Sequence, residues 1–99
     1  MSRGYGKRQR LVLAALDLVG PFYLSSLARN ETELKALSRA VFKLTSAGEL
    51  TRGRFVRGKC RVFVATLDHR DEHGKFVGIK RNEIENASRK LRNLLQAIR

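Results

Sequence analysis

Apolar residues recur at helical spacing in three stretches of the chain, and this pattern predicts three amphipathic helices. The first stretch covers residues 7–19, and it is followed by Gly20 and Pro21, two residues that commonly end helices. The apolar residues 22–24 then predict a short strand. A serine cap would start a short helix over residues 25–29.

The second stretch predicts a helix that buries one face. Its apolar stripe, at spacings of three and four residues, consists of Leu34, Leu37, Val41 and Leu44. Asn30 and Glu33 fit an N-terminal capping pair, with Thr32 as the competing cap. Gly48 is suited to be the first residue beyond the helix. Phe42 lies off the stripe, and it could either pack against the first helix or stay partly exposed.

Two segments after Gly48 predict a β-hairpin, with strands over residues 50–56 and 59–67 and a turn at Arg57-Gly58. The apolar half of the hairpin is Phe55, Val62, Phe63, Val64 and Leu67. The register stays open, because a shift of one residue would exchange the two faces. Residues 68–80 predict a polar loop or linker that ends in a short apolar patch.

The third stretch predicts a C-terminal helix over residues 81–99, with Asn82 and Glu85 as a second capping pair. Its heptad-like seam consists of Ile84, Ala87, Leu91, Leu94, Leu95 and Ile98. The helix can fold back onto its own domain or pair with the same helix of a second chain. We favour pairing, and so a homodimer, because the stripe is narrow and a chain of 99 residues gains from sharing a core.

The net charge of the chain limits its possible functions more than the apolar pattern does. The chain has 21 lysines and arginines against 9 acids, which gives a net charge of +12. The positive residues are clustered. The first ten residues carry four cations and no acid, residues 1–6 predict a flexible basic arm, and the predicted hairpin carries five cations without an acid. Clustered positive charge repels itself and indicates an anionic partner, and nucleic acid is the commonest partner of a small basic domain.

The order helix, strand, helix, helix, hairpin is typical of winged helix-turn-helix domains. LSRAVFKLTSAGEL, at residues 37–50, resembles the segment of MarR-, PadR- and ArsR-type regulators in which the recognition helix leads into the wing. The matching residues are Ser38, Arg39, Val41, Leu44 and Gly48. Glu49 departs from the pattern, because these families usually have an apolar residue there, and it leaves the exit into the wing open.

The resemblance covers residues 7–67 and implies a winged helix-turn-helix. Together with the predicted C-terminal dimerisation helix, this predicts a mainly α fold with a small β-hairpin (α+β). The resemblance also implies that the third helix enters the major groove while the wing follows the backbone or the adjacent minor groove. Arg39 and Ser38 are then candidates for base contacts, and Lys35 and Lys43 for phosphate contacts. The wing candidates are Arg52, Arg54, Arg57, Lys59 and Arg61.

Together these features predict a sequence-specific protein that binds double-stranded DNA in the cytoplasm, at the nucleoid. It would be a dimeric transcriptional repressor or an accessory factor of a plasmid, phage or virus. Two alternatives stay open: an RNA- or ribosome-associated winged helix, and an architectural protein that coats DNA without specificity. No nucleophile–base pair or phosphate-binding glycine loop can be assigned, so we do not expect an enzyme.

Metal and cofactor sites are also not expected. Cys60 is the only cysteine, which excludes a cysteine-rich zinc site. His69 and His73 stand four residues apart, but their polar surroundings favour a solvated loop over a metal-binding helix. No run of 18 apolar residues predicts a membrane-spanning helix, and nothing in the sequence indicates a small-molecule effector.

Overall fold

The computed structural model describes residues 6–55 and 61–98. In these ranges it has three α-helices and three strands. They are α1 (Lys7–Val19), β1 (Phe22–Tyr23), α2 (Glu31–Ser46), β2 (Thr51–Phe55), β3 (Arg61–Ala65) and α3 (Arg81–Ile98). The chain is mainly helical with a small antiparallel sheet, which confirms the predicted α+β class, and the first helix has the predicted bounds.

The predicted short helix over residues 25–29 is wrong. Leu24–Ser26 forms a single turn of 3-10 helix, and residues 27–30, between this turn and α2, are not helical. Leu24 and Leu27 are both buried, and residues three apart lie on the same side of a 3-10 turn. One turn is therefore enough to anchor the segment. Because this turn is not an α-helix, the helix predicted to be the third along the chain is α2.

Local signals set the start of α2. The side-chain oxygen Oδ1 of Asn30 accepts a hydrogen bond of 2.8 Å from the backbone N–H of Glu33. This bond satisfies one of the backbone donors that the first helical turn leaves without a partner. Asn30 is thus the cap, as predicted, and Thr32 lies inside the helix.

The exit from α2 explains the unusual Glu49. Gly48 has φ +76°, its N–H donates to the carbonyl of Thr45, and the N–H of Glu49 donates to the carbonyl of Leu44. This pair of bonds closes the helix in a Schellman motif. Glu49 is exposed and Leu50 is buried, so the apolar anchor before the hairpin is shifted by one residue.

The sheet has the strand order β1-β3-β2, and β3 pairs antiparallel with both neighbours. Val64 and Phe63 point to opposite sides of β3, and both are buried. On the side of Val64, called the α2 face, the core also includes residues of α1 and α2. On the side of Phe63, called the loop face, a second cluster includes Tyr23 and Ile84.

Residues 66–80 cover the loop face. Phe76 and Ile79 pack against the second cluster, and the ring of Phe76 lies 5.2 Å from that of Phe63. Gly53 of β2 makes this packing possible, because a Cβ there would lie 2.6 Å from Phe76 and 2.7 Å from Phe63. The apolar patch predicted at the end of this segment therefore packs on the body. Leu67, predicted to belong to the apolar half of the hairpin, is instead exposed beyond the end of β3.

The helix α3 folds back onto its own domain. Its Ser88 is buried and its hydroxyl accepts a bond of 2.8 Å from the backbone N–H of Tyr23, so α3 is tied to β1. Ile84 and Leu91 are buried in the two clusters of the chain's own core, which corrects their assignment to a seam with a partner.

The other predicted seam residues differ among themselves. Ala87 and Leu95 are partly buried against the first cluster. Leu94 is exposed, and the side chain of Ile98 lies outside the described part of the chain.

The predicted cap of α3 is also corrected. The carbonyl of Lys80 accepts bonds from the N–H groups of Glu83 and Ile84, so Asn82 lies inside the first turn. The carboxylate of Glu85 lies 3.4 Å from Arg81.

Candidate nucleic-acid interface

The polar face of α2 carries all four residues predicted for it. Lys35, Arg39 and Lys43 are exposed, and Ser38 is half-buried at the edge of the face. The opposite side of the helix is fixed in the core by the predicted apolar stripe, in which Leu37, Val41 and Leu44 have no measurable exposure and Leu34 is partly buried. The helix cannot rotate without exposing that stripe, so its polar face is held outward.

Two arginines of β2 lie beside this helix. Arg52 pairs with Val64 and Arg54 pairs with Val62, so strand alternation places both arginines on the α2 face of the sheet. Both are exposed. The guanidinium carbon of Arg52 lies 5.8 Å from the centre of the Phe42 ring on α2. This cation–π contact joins the hairpin to the helix.

The remaining predicted hairpin cations fall outside this description. Arg57 and Lys59, which form the predicted tip together with the turn, lie in residues 56–60. Arg61 starts β3, but its side chain also lies outside the described part of the chain. Their assignment stays a prediction.

The start of α1 adds two cations that the sequence analysis did not assign to the site. A cleft of about 210 Å³ separates the start of α1 from the middle of α2, and both helices contribute basic residues to it. The cleft is lined by Gly6, Lys7, Arg8, Gln9, Ala36, Arg39, Ala40 and Lys43. The first turn of α1 carries no acid, although acids are favoured at the positive end of the helix dipole.

The seven cations form one area, called the basic surface here. It consists of Lys7, Arg8, Lys35, Arg39, Lys43, Arg52 and Arg54. Within residues 6–55 and 61–98 no ion pair neutralises any of them, whereas Arg81 on α3 is paired with Glu85. Uncompensated like charges repel one another and cost stability. An anionic ligand would remove this cost, since it would supply the missing negative charge.

The sequence contained one signal for Lys7 and Arg8 and one for Phe42, which was also not assigned to the site. Ala36 and Ala40, four residues apart, allow another helix to approach α2 closely, and this approach brings Lys7 and Arg8 alongside. Phe42 is 58% exposed, and an aromatic residue on the polar face of an amphipathic helix is unusual enough to mark a contact site. Neither signal identifies the neighbouring element without the fold.

The two histidines lie apart from the basic surface and do not come together. The ring nitrogen Nδ1 of His69 lies 3.3 Å from the carbonyl of Val77. His73 is exposed and lies 3.5 Å from Glu72. In the part of the chain that the structure covers, no group of three or more metal-ligating side chains occurs, and no helix is long and apolar enough to cross a membrane.

Comparison of the chain with known protein families, with curated proteins and with solved structures finds no match. The functional interpretation therefore depends on the geometry of the basic surface and on the order of the elements that form it.

Proposed function

We propose that this protein binds double-stranded DNA with α2 in the major groove and the β2–β3 hairpin, the wing, against the backbone. The observation that carries the proposal is the basic surface, where cations from α1, α2 and β2 meet and no ion pair within the described residues neutralises them. Backbone phosphates are the ligands that such an arrangement fits best, because contacts between cations and phosphates dominate the affinity for nucleic acid.

The arrangement of the three elements suits a groove. The major groove is wide enough for one α-helix and has a phosphate chain on each side. Here α2 is flanked on one side by Lys7 and Arg8 of α1, and on the other by Arg52 and Arg54 of β2. With α2 in the groove, the two flanks would meet the two phosphate chains.

Each candidate residue has a different expected role. Arg39 is exposed in the middle of α2 and can donate two hydrogen bonds to guanine O6 and N7. Lys35 and Lys43 are suited to phosphates, because lysine is a mobile point charge. Ser38 is half-buried and could reach only a base close to the helix.

The order of elements supports a winged helix-turn-helix assignment. A hairpin directly after α2 and the strand order β1-β3-β2 agree with the fold that the resemblance implies. The departure lies in η1, the 3-10 turn Leu24–Ser26, which stands where the first helix of the helix-turn-helix is expected. We propose that the start of α1 supplies backbone contacts in this variant.

A transcriptional repressor or an accessory factor of a mobile element is the most suitable role within this proposal, and a homodimer belongs to it. Of the seam residues whose side chains are described, Leu94 remains the most accessible. Sedimentation velocity should give a dimer for the wild type and a monomer for Leu94→Glu. A wild-type monomer at micromolar concentration would refute the dimer and leave the DNA proposal intact.

The proposal is tested by titrating the protein with three nucleic acids at two salt concentrations. The first is a duplex selected from a random pool, and the others are an unselected duplex and a structured RNA. We expect the selected duplex to bind most tightly at both salts. If about six to ten phosphates are contacted, the affinity should fall by roughly 10³–10⁵ between 50 and 200 mM salt. Equal binding to both duplexes would indicate DNA coating, and tighter RNA binding would refute the proposal.

A matched pair of variants distinguishes base recognition by Arg39 from nonspecific electrostatic attraction to DNA. Arg39→Ala should reduce the preference for the selected duplex, since it removes a base contact. Arg89→Ala removes the same charge from α3, where Arg89 shares a cleft with Tyr23 of β1. This edge of the sheet lies opposite β2. Arg89→Ala should leave the preference unchanged, and an equal loss in both variants would contradict the assignment of α2.

A further inference from the structure

We propose that Phe42 contacts the 5-methyl group of a thymine in the major groove, which makes it a specificity-determining residue. This inference rests on the proposed function and deepens it, since it names one chemical group that the protein would read. The observation behind it is the position of an exposed aromatic ring within a surface of cations.

Packing within the chain leaves more than half of the Phe42 side chain uncovered. Its side chain is 58% exposed, while Leu37, Val41 and Leu44 on the opposite side of the same helix are completely buried. Keeping a large apolar ring in water is unfavourable. A ligand that covers the ring would therefore gain free energy by removing this apolar surface from water.

The surroundings of the ring limit what can cover it. Lys35 and Arg39 lie seven and three residues before Phe42, which places them on the same side of the helix. Arg52 lies against the ring from β2, with its guanidinium carbon 5.8 Å from the ring centre. A ligand that covers Phe42 must also accept these positive charges. A second copy of this chain would bring like charges together, so a polyanion is favoured.

Duplex DNA has both an anionic backbone and an apolar group within reach of a helix in the major groove. Its backbone is anionic, and the thymine methyl is the apolar group that the major groove presents, for which phenylalanine is a known type of contact. The contact with Arg52 restrains the ring before binding. Phe42 would thus add sequence preference at a position where the neighbouring cations add affinity for any sequence.

The test uses the duplex selected by the wild-type protein, in which each thymine is replaced in turn by uracil. Uracil lacks the methyl group and keeps the same hydrogen-bonding edge. At one position we expect the wild type to lose about fourfold in affinity, the value of one buried methyl-sized group. At that position Phe42→Ala should bind the thymine and uracil duplexes equally. When the duplex has cytosine at that position, the wild type alone should prefer 5-methylcytosine over cytosine.

Leu18→Ala is the matched control, because Leu18 is 62% exposed on α1 and is not part of the basic surface. This variant should keep the full difference between thymine and uracil. Melting temperatures of both variants should equal that of the wild type, which shows that folding is unchanged.

Two results would overturn the inference alone. The first is wild-type binding that is indifferent to uracil at every position. The second is a Phe42→Ala variant that loses affinity for the thymine and uracil duplexes by the same factor, so that their difference remains. This would indicate that the ring stacks on a base. A wild type that binds no duplex would refute the proposed function together with this inference.

Discussion

An arginine–phenylalanine pair lies at each of the two faces of strand β2, and the two pairs differ in what surrounds them. On the loop face, the guanidinium carbon of Arg70 lies 4.5 Å from the centre of the Phe76 ring. On the α2 face, that of Arg52 lies 5.8 Å from the centre of the Phe42 ring. Residue types alone would give the two pairs the same role.

The two arginines differ in the hydrogen bonds that their guanidinium groups donate. The guanidinium of Arg70 donates to the hydroxyl of the buried Thr51, to the carbonyl of Gly74 and to the carbonyl of Arg52. Among the described residues, no hydrogen bond involves the guanidinium of Arg52. The donors of Arg70 are therefore used within the protein, whereas those of Arg52 remain accessible to a ligand. An arginine is therefore a candidate for binding when its donors are left unused within the protein.

The largest effect on stability is expected from Gly53→Ala, which breaks the loop face. The added Cβ would lie within 2.8 Å of ring atoms of Phe63 and Phe76, so at least one ring must move. We expect a loss of about 2 kcal/mol in the free energy of unfolding, measured by urea denaturation. Arg54→Ala, on the other face of the same strand, should change stability by less than about 0.5 kcal/mol. Equal stability of the two variants would contradict the packing described.

A smaller loss is expected from Arg70→Ala. The change removes three hydrogen bonds and a cation–π contact, but Arg70 is partly solvated, so we expect about 1–2 kcal/mol. The same denaturation experiment measures it. Arg70→Lys should recover little of the loss, because one ammonium group cannot replace the planar fork of donors. Full recovery by lysine would mean that charge alone, and not hydrogen bonding, stabilises the loop.

The smallest change in stability is expected from Arg52→Ala, less than about 0.5 kcal/mol. Its affinity for the selected duplex should instead fall by about tenfold, the value of one charge-assisted hydrogen bond. Fluorescence anisotropy at fixed salt measures this. If Arg52→Ala unfolds the protein as readily as Arg70→Ala, the distinction between the two pairs is wrong.

The sequence was sufficient for features that local chemistry decides. The bounds of α1, the cap at Asn30 and the positive φ of Gly48 depend on neighbouring residues only. The apolar stripe of α2 was predicted for the same reason, since its spacing shows that one face must be buried. These features establish the helical part of the fold, and the α+β class also depends on the predicted hairpin.

What could not be predicted depends on which elements meet. The seam of α3 has the spacing of a dimer helix, but that spacing does not reveal whether the covering surface belongs to the same chain. The buried Ser88, which bonds to Tyr23, gives the answer only in the folded structure. In the same way, Lys7 and Arg8 join the candidate site only because α1 packs against α2.

We propose that one surface of this protein, formed by α1, α2 and β2, meets the phosphates. The most direct test compares how the affinity of two double variants for duplex DNA depends on salt. Lys7→Ala with Lys43→Ala removes two charges from the basic surface, and Arg89→Ala with Arg92→Ala removes two from α3. The slope of log affinity against log salt is negative, and each phosphate contact adds about 0.9 to its magnitude. We predict that the first variant reduces this magnitude by about 2 and that the second keeps the wild-type slope. Equal reductions in both variants would contradict the claim, because the charge would then attract DNA without a defined surface.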